Sequence, residues 1–372
     1  MNLPTNLSGS CRGSAKAWLL VVLGLALFAG GFALSYFGGE EGGSAGSTSS
    51  AAEGGGRFEQ ELESDGILVG LTGSVGIQRG ADLVLPATLG RQLQSGDHVS
   101  AYAAGAAHVL TREGLLSITS RGAFLLEIEG FEREEIDRVL AYRRSIADRA
   151  RSAEAAAPEP TELQIERPFG SVLFSNRPAV LWRDSQDSFP YQVVLRKGEQ
   201  VVFDRRVQVR TGKGETGLLF PGDVESLEYR TSYVVEVTNS DGAAATATFE
   251  CRPLAELVPY LRPLEELANT LQNDHVTFVL AGLRFGAMGY RDNAVQAWTS
   301  VHALLGNERL PIEGILAVLE DAGNSVEIRE WLRKLKAAPE LPMARIRPAE
   351  DDRPSSEDPA GGPGADATTP GR

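Results

Sequence analysis

The chain has 372 residues, 42% of them hydrophobic, and a formal net charge of −14. That length holds two or three compact units with linkers, and the composition is ordinary for a globular chain. The acidic balance excludes a nucleic-acid partner, which needs a basic face, and two cysteines provide neither a disulfide framework nor a Cys-based metal site.

Residues 17–37, AWLLVVLGLALFAGGFALSYF, carry no charge. At about 1.5 Å per residue, a helix of this length crosses the ~30 Å hydrocarbon core of a bilayer. Arg12 and Lys16 precede the run, and Glu40 and Glu41 follow it. The excess of cations on one side places residues 1–16 in the cytoplasm and the bulk of the chain outside. A cleaved signal peptide is the competing reading, but its apolar core runs only ~7–15 residues before a small-residue cleavage site. Here the run is longer and ends on Ser35-Tyr36-Phe37, so the expectation is an uncleaved single-pass anchor. Cys11 lies before the apolar run, the wrong side for a lipid anchor. Residues 38–56 are rich in Gly, Ser and Ala and read as a flexible tether.

Residues 57–130 read as an all-β unit. Strands are expected at 67–71, 75–78, 98–101, 107–110, 115–119 and 123–128, separated by turns at Gly73, Gly80, Gly90, Gly96-Asp97, Gly105, Glu113-Gly114 and Gly122. Short strands at such regular spacing imply a sandwich or a β-roll. The run Leu93-Gln94-Ser95-Gly96-Asp97-His98-Val99, with Gly73, Gly80, the alternating 106–110 strand and Glu113-Gly114-Leu115, resembles the FecR domain. That resemblance implies a small β module outside the membrane of a bacterial cell envelope, and it carries no catalytic residues. Gly96-Asp97 reads as a turn in which the Asp side chain bonds nearby backbone. His98 and His108 are expected on different strands, with too few further ligands for a metal.

Residues 131–163 form a charged helix and a linker. Ile136, Val139, Leu140, Arg143 and Ile146 follow helical spacing. This predicts a solvent-exposed helix with a narrow apolar seam. A coiled-coil homodimer is the sharper reading of that seam, although a coiled coil wants several sustained heptads.

Residues 164–252 read as a second β unit. Gly198 separates the strands 191–197 and 200–206, and Ser240-Asp241-Gly242 separates 229–239 from 243–250, each a hairpin pattern. The arrangement Pro178, Trp182, Tyr191-Gln192-Val193 resembles the opening strands of fibronectin type III or immunoglobulin-like sandwiches, with Trp182 in the core. The run Thr211-Gly212-Lys213-Gly214 superficially suggests a phosphate loop. A true P-loop needs the order G-x-x-x-x-G-K-[ST] between a strand and a helix, so a glycine turn is expected. Cys251 should sit partly buried at a strand end, with an intermolecular disulfide as the alternative.

Residues 253–339 read as helices. Pro263 is expected in the first turn of a helix bearing Leu264, Leu267, Ala268 and Leu271. Pro311 opens another with Ile312, Ile315, Leu316 and Leu319; Gly323 stops it. Ser325 caps a last one with Ile328, Trp331, Leu332 and Leu335. Between them, Gly282, Phe285, Gly289, Ala294 and Trp298 resemble one tetratricopeptide repeat, with a plain helical hairpin bundle as the alternative. Arrays of such repeats present a concave face to partners. Residues 340–372 are rich in Pro, Gly, Asp and Glu, the composition of a disordered tail.

The expected architecture is multidomain: one membrane helix, a FecR-like β domain, a sandwich and tetratricopeptide-like hairpins. No catalytic set, cofactor or metal site is expected. The function expected is a non-enzymatic, membrane-anchored scaffold of the inner membrane, with partners in the protein or wall material of the envelope. The alternative is a transmembrane regulator, since FecR-like proteins include partners of sigma factors. Against it, residues 1–16 are too few to fold alone.

Overall fold

A computed structural model describes residues 57–81, 83–155, 163–168, 172–186, 188–208, 210–211, 215–219, 226–271, 273–306, 308–322, 325–339 and 345–346. The expected span 17–37, the tether 38–56 and the glycines around Lys213 lie outside these residues. Among the described residues no helix is long and apolar enough to cross a membrane.

The N-terminal unit contains β1 (Phe58–Glu61), β2 (Gly66–Thr72), β3 (Val75–Arg79), β4 (Leu83–Leu85), β5 (Gln92–Leu93), β6 (Asp97–Ala101), β7 (Ala106–Thr111), β8 (Gly114–Thr119) and β9 (Gly122–Leu126). The six expected strands all form. β1, β4 and β5 are too short to show a period, and β9 stops at Leu126 rather than 128. One sheet runs β5-β2-β7-β8-β9, and the other contains β1-β6-β3-β4. Leu62, Leu68, Ile77, Val99, Val109 and Ile118 fill the space between the sheets. β2 is buried on both faces: Leu68 points into that space, while Ile67 and Val69 join a second core under the helices. A strand covered on both sides reads as an unbroken apolar run, as 67–69 does.

Helix α1 (Arg133–Ala155) corrects an expectation. It is not a solvent-exposed helix with a free seam. Ile136, Val139, Leu140, Tyr142, Ile146, Ala150 and Ala153 are all buried in the second core. The seam is therefore covered by this chain's own helices and is closed to a coiled-coil homodimer.

The next unit comprises β10 (Leu163–Arg167), β11 (Val172–Leu173), β12 (Ala179–Asp184), β13 (Tyr191–Lys197), β14 (Gln200–Val207), β15 (Arg210–Thr211), β16 (Glu215–Leu219), β17 (Thr231–Thr238) and β18 (Ala244–Cys251). Sheets β10-β12-β16-β15 and β11-β18-β17-β13-β14 make a sandwich. Trp182 and Tyr191 are fully buried in its core, their rings 5.4 Å apart and edge-on. Cys251 is also fully buried there, and burial, with Glu250 adding to it, pushes its thiol up to about 12. It is not the partly buried residue expected, and its burial withholds it from an intermolecular disulfide.

The C-terminal region is helical: α2 (Val258–Leu271), α3 (Asp274–Met288), α4 (Arg291–Leu305), α5 (Arg309–Ala322) and α6 (Ser325–Ala337). Pro263 lies inside α2, not in its first turn. The helix starts earlier because Pro259 already occupies its second position, where a missing N–H costs nothing. A further strand, β19 (Arg345–Ile346), pairs antiparallel with β4; the rest of the expected tail, 340–344 and 347–372, lies outside the described residues.

Candidate functional site

The residues singled out by sequence are spread over the molecule. Gly96 turns at φ +85°. Asp97, 1% exposed, accepts from the Gln94 amide at 2.8 Å and from Arg79 Nε and Nη2 at 2.7 Å each. Its carboxylate is used up in holding the turn against β3. His98 faces Glu59, Nδ1 to Oε1 3.2 Å. His108 points the other way, toward α3. It is buried, its Nδ1 has no partner, and burial, then the nearby His275, depresses its titration to about 4. Among the described residues no three His, Cys, Asp or Glu side chains gather as metal ligands.

The repeat-like residues form a close-packed joint. A Cβ on Gly282 would stand 2.6 Å from the Trp298 indole, and one on Gly314 would stand 2.5 Å from it. Trp298 is thus clamped between α3 and α5 and fully buried. Gly289, at φ +75°, ends α3, donating to the Gly286 carbonyl at 3.2 Å while Tyr290 donates to Phe285 at 2.9 Å. A left-handed glycine that lets the last carbonyls be satisfied is a common helix stop.

Arg284 ties this joint to the β module. It is 1% exposed. Its Nε and Nη2 hold the two Glu135 oxygens on α1, Nη2 to Oε2 at 3.0 Å. Nη1 donates to the Tyr260 carbonyl at 2.8 Å, and Nη2 to the Gly130 carbonyl at 3.0 Å. The guanidinium also lies 4.0 Å from the Phe131 ring centre, within cation–π range.

A concave feature of this region is a groove of about 580 Å³. One wall is α1, where Arg138, Ala141, Tyr142, Ser145 and Arg149 line up at helical spacing. The other is the end of α3, with Gly286, Ala287, Met288 and Gly289, and Asp321 of α5 stands at the margin. Gly286 makes the shape possible, because a Cβ there would meet the Tyr142 ring at 2.3 Å. Arg149 pairs with Asp321 and lies 5.6 Å from the Tyr142 ring centre. Ser145 donates to the Tyr142 carbonyl at 2.8 Å. Burial raises the Tyr142 phenol above its ordinary range, so it stays neutral at the groove floor. Arg138 is exposed and, among the described residues, has no ion-pair partner. Among the described residues the groove therefore offers one free cation beside the apolar surface of Ala141, Ala287 and Met288. That set can receive an acidic group beside apolar ones.

The end of α3 lies in the repeat-like hairpin expected to face partners, but the α1 wall was not expected: the stripe legible as periodicity is Ile136, Val139, Leu140, Arg143 and Ile146, and nothing local says that the neighbouring face meets the end of α3.

A polar seam joins sandwich and helices. Arg167 on β10 meets Asp292 on α4 at 3.0 Å, and Arg183 meets Glu166 at 2.6 Å. Beside them, burial pushes the Glu327 carboxyl up to about 7, against the pull of Arg167 and Arg183.

No family model matches the chain, and no curated protein matches it. Among solved structures, the fibronectin(III)-like modules of CbhA from Clostridium thermocellum align over 54% of this chain and 88% of that chain, with 11% identity and a TM-score of 0.17. So loose a likeness carries no argument, and the sandwich stands on its own strand pairing.

Proposed function

We propose that this protein is a non-enzymatic scaffold, anchored in the inner membrane by residues 17–37 with its N-terminus in the cytoplasm. Its described units would lie outside the membrane: a FecR-like module, a fibronectin-like sandwich and a tetratricopeptide-like helical stack. The stack binds a partner protein of the envelope. The groove between α1 and the end of α3 supports this reading, because it is concave, open and built from helices. Its free Arg138 and apolar flank favour a partner segment that sets an acidic side chain next to apolar ones.

Cross-linking in membranes followed by capture and mass spectrometry tests this. The partner should be an envelope protein, and Arg138→Glu combined with Met288→Glu should cut its recovery at least tenfold. Arg138 is exposed, so Arg138→Glu alone should leave melting unchanged and still lower recovery; Met288 packs partly against the core, so the double variant is read beside that single one. Unchanged recovery would move the contact away from the groove. Recovery of a sigma factor would favour the regulator reading.

A further inference from the structure

The edge of the first β sheet carries an inference independent of the groove. β4 is a three-residue strand, Leu83–Leu85. Its inner side pairs with β3, Ile77 opposite Leu85 and Arg79 opposite Leu83. Its outer side pairs with β19, which comes from the far end of the chain: Arg345 stands opposite Val84 and Ile346 opposite Leu83. Without β19, β4 would be the open edge of its sheet, with unpaired amides and carbonyls available to any extended chain. Pro86 follows directly and, having no N–H, limits the ladder at that end. Val84 is still 39% exposed with β19 in place.

The energetics favour exchange. Each hydrogen bond of a ladder contributes only about 0.5–1.5 kcal/mol net, while ordering each backbone residue costs about 1–2 kcal/mol. A two-residue ladder is therefore close to neutral, and its persistence owes much to the high effective concentration of a segment on the same chain. A partner strand that pairs with all of 83–85 and adds side-chain contacts has more to gain.

The pairing points to the outer edge of β4 as a strand-addition site for an extended peptide of a partner protein, occupied here by the chain's own Arg345–Ile346. Main-chain bonds would supply the affinity, and alternate side chains the selectivity. In the chain's own pairing Arg345 stands opposite Val84 and Ile346 opposite Leu83, and the proposed peptide takes that same basic, β-branched order.

The test compares the full chain with one ending at Pro339. Among the described residues all three cores end by Ala338, so the shortened chain keeps their described members. The probe is a fluorescent peptide of residues 341–348. The shortened chain should bind it saturably, at least tenfold more tightly than the full chain does, and the Leu83–Leu85 amides should exchange faster in the shortened chain when peptide is absent. A peptide with Ile346→Pro should bind at least tenfold more weakly, a change that leaves the protein untouched. Equal binding to both chains, no binding to either, or no effect of the proline would overturn the proposal. So would a dimer of the full chain that is lost on shortening, which would give the edge to a second copy.

Discussion

At the scale of single residues, Arg284 shows how a buried charge is tolerated. Two carboxylate oxygens and two carbonyls meet its guanidinium. Arg284→Ala would strand Glu135 as a buried, unpaired charge, and such a break costs about 3–5 kcal/mol. Urea unfolding should show that loss, while Arg284→Met together with Glu135→Leu should be less damaging than Arg284→Ala alone. If the double variant were the worse of the two, the ion pair itself would be the stabilising element. His108 sets a pH dependence. The folded protein keeps its imidazole neutral down to about 4, against an ordinary 6.5. Unfolding therefore takes up a proton between those values. Stability from this site is complete above the ordinary value, falls by up to about 3 kcal/mol as the pH drops to about 4, and changes no further below that. His275 is shifted in the same direction by burial. Midpoints measured across this range should fall in the wild type and fall less in His108→Gln; matching profiles would mean that other groups govern the acid response.

At the scale of elements, α1 is the instructive case. Its charges resemble those of a solvated helix, yet its apolar stripe is as buried as any in the molecule. Periodicity reports that a helix has an apolar face. It does not report whether that face meets a second copy, a membrane or the same chain. Ile146→Ala should cost about 2–5 kcal/mol, as for other fully buried aliphatic side chains, read by thermal melting. A loss below 1 kcal/mol would mean that α1 is only loosely docked. The same burial constrains other experiments. Removing 253–338 would uncover Ile67, Val69 and α1, so point changes in the groove are the cleaner probe of binding.

At the scale of the whole molecule, unfolding should follow the cores rather than the order of the chain. Ile67, Val69, Leu110 and Leu115 of the β module share one cluster with α1 and the C-terminal helices, while the sandwich has its own. Trp182→Ala and Trp298→Ala should each cost about 3–5 kcal/mol, but in different units. Trp298→Ala should speed amide exchange in β2 and β7 as well as in the helices, and Trp182→Ala should leave those strands protected. Equal protection of β2 in both variants would show that the module unfolds independently of the helices. Six strands of the first β unit, the two hairpins of the sandwich, the burial of Trp182 and Trp298, and the helical end were legible in the sequence, because each is set by spacing, turn residues or apolar content within a short window; the shorter strands were not. The docking of α1, the Arg284–Glu135 pair, the groove and the return of Arg345–Ile346 to β4 were not. Each joins residues far apart along the chain, where the free energy comes from mutual burial and charge pairing. Such terms exist only once tertiary packing has brought both partners together.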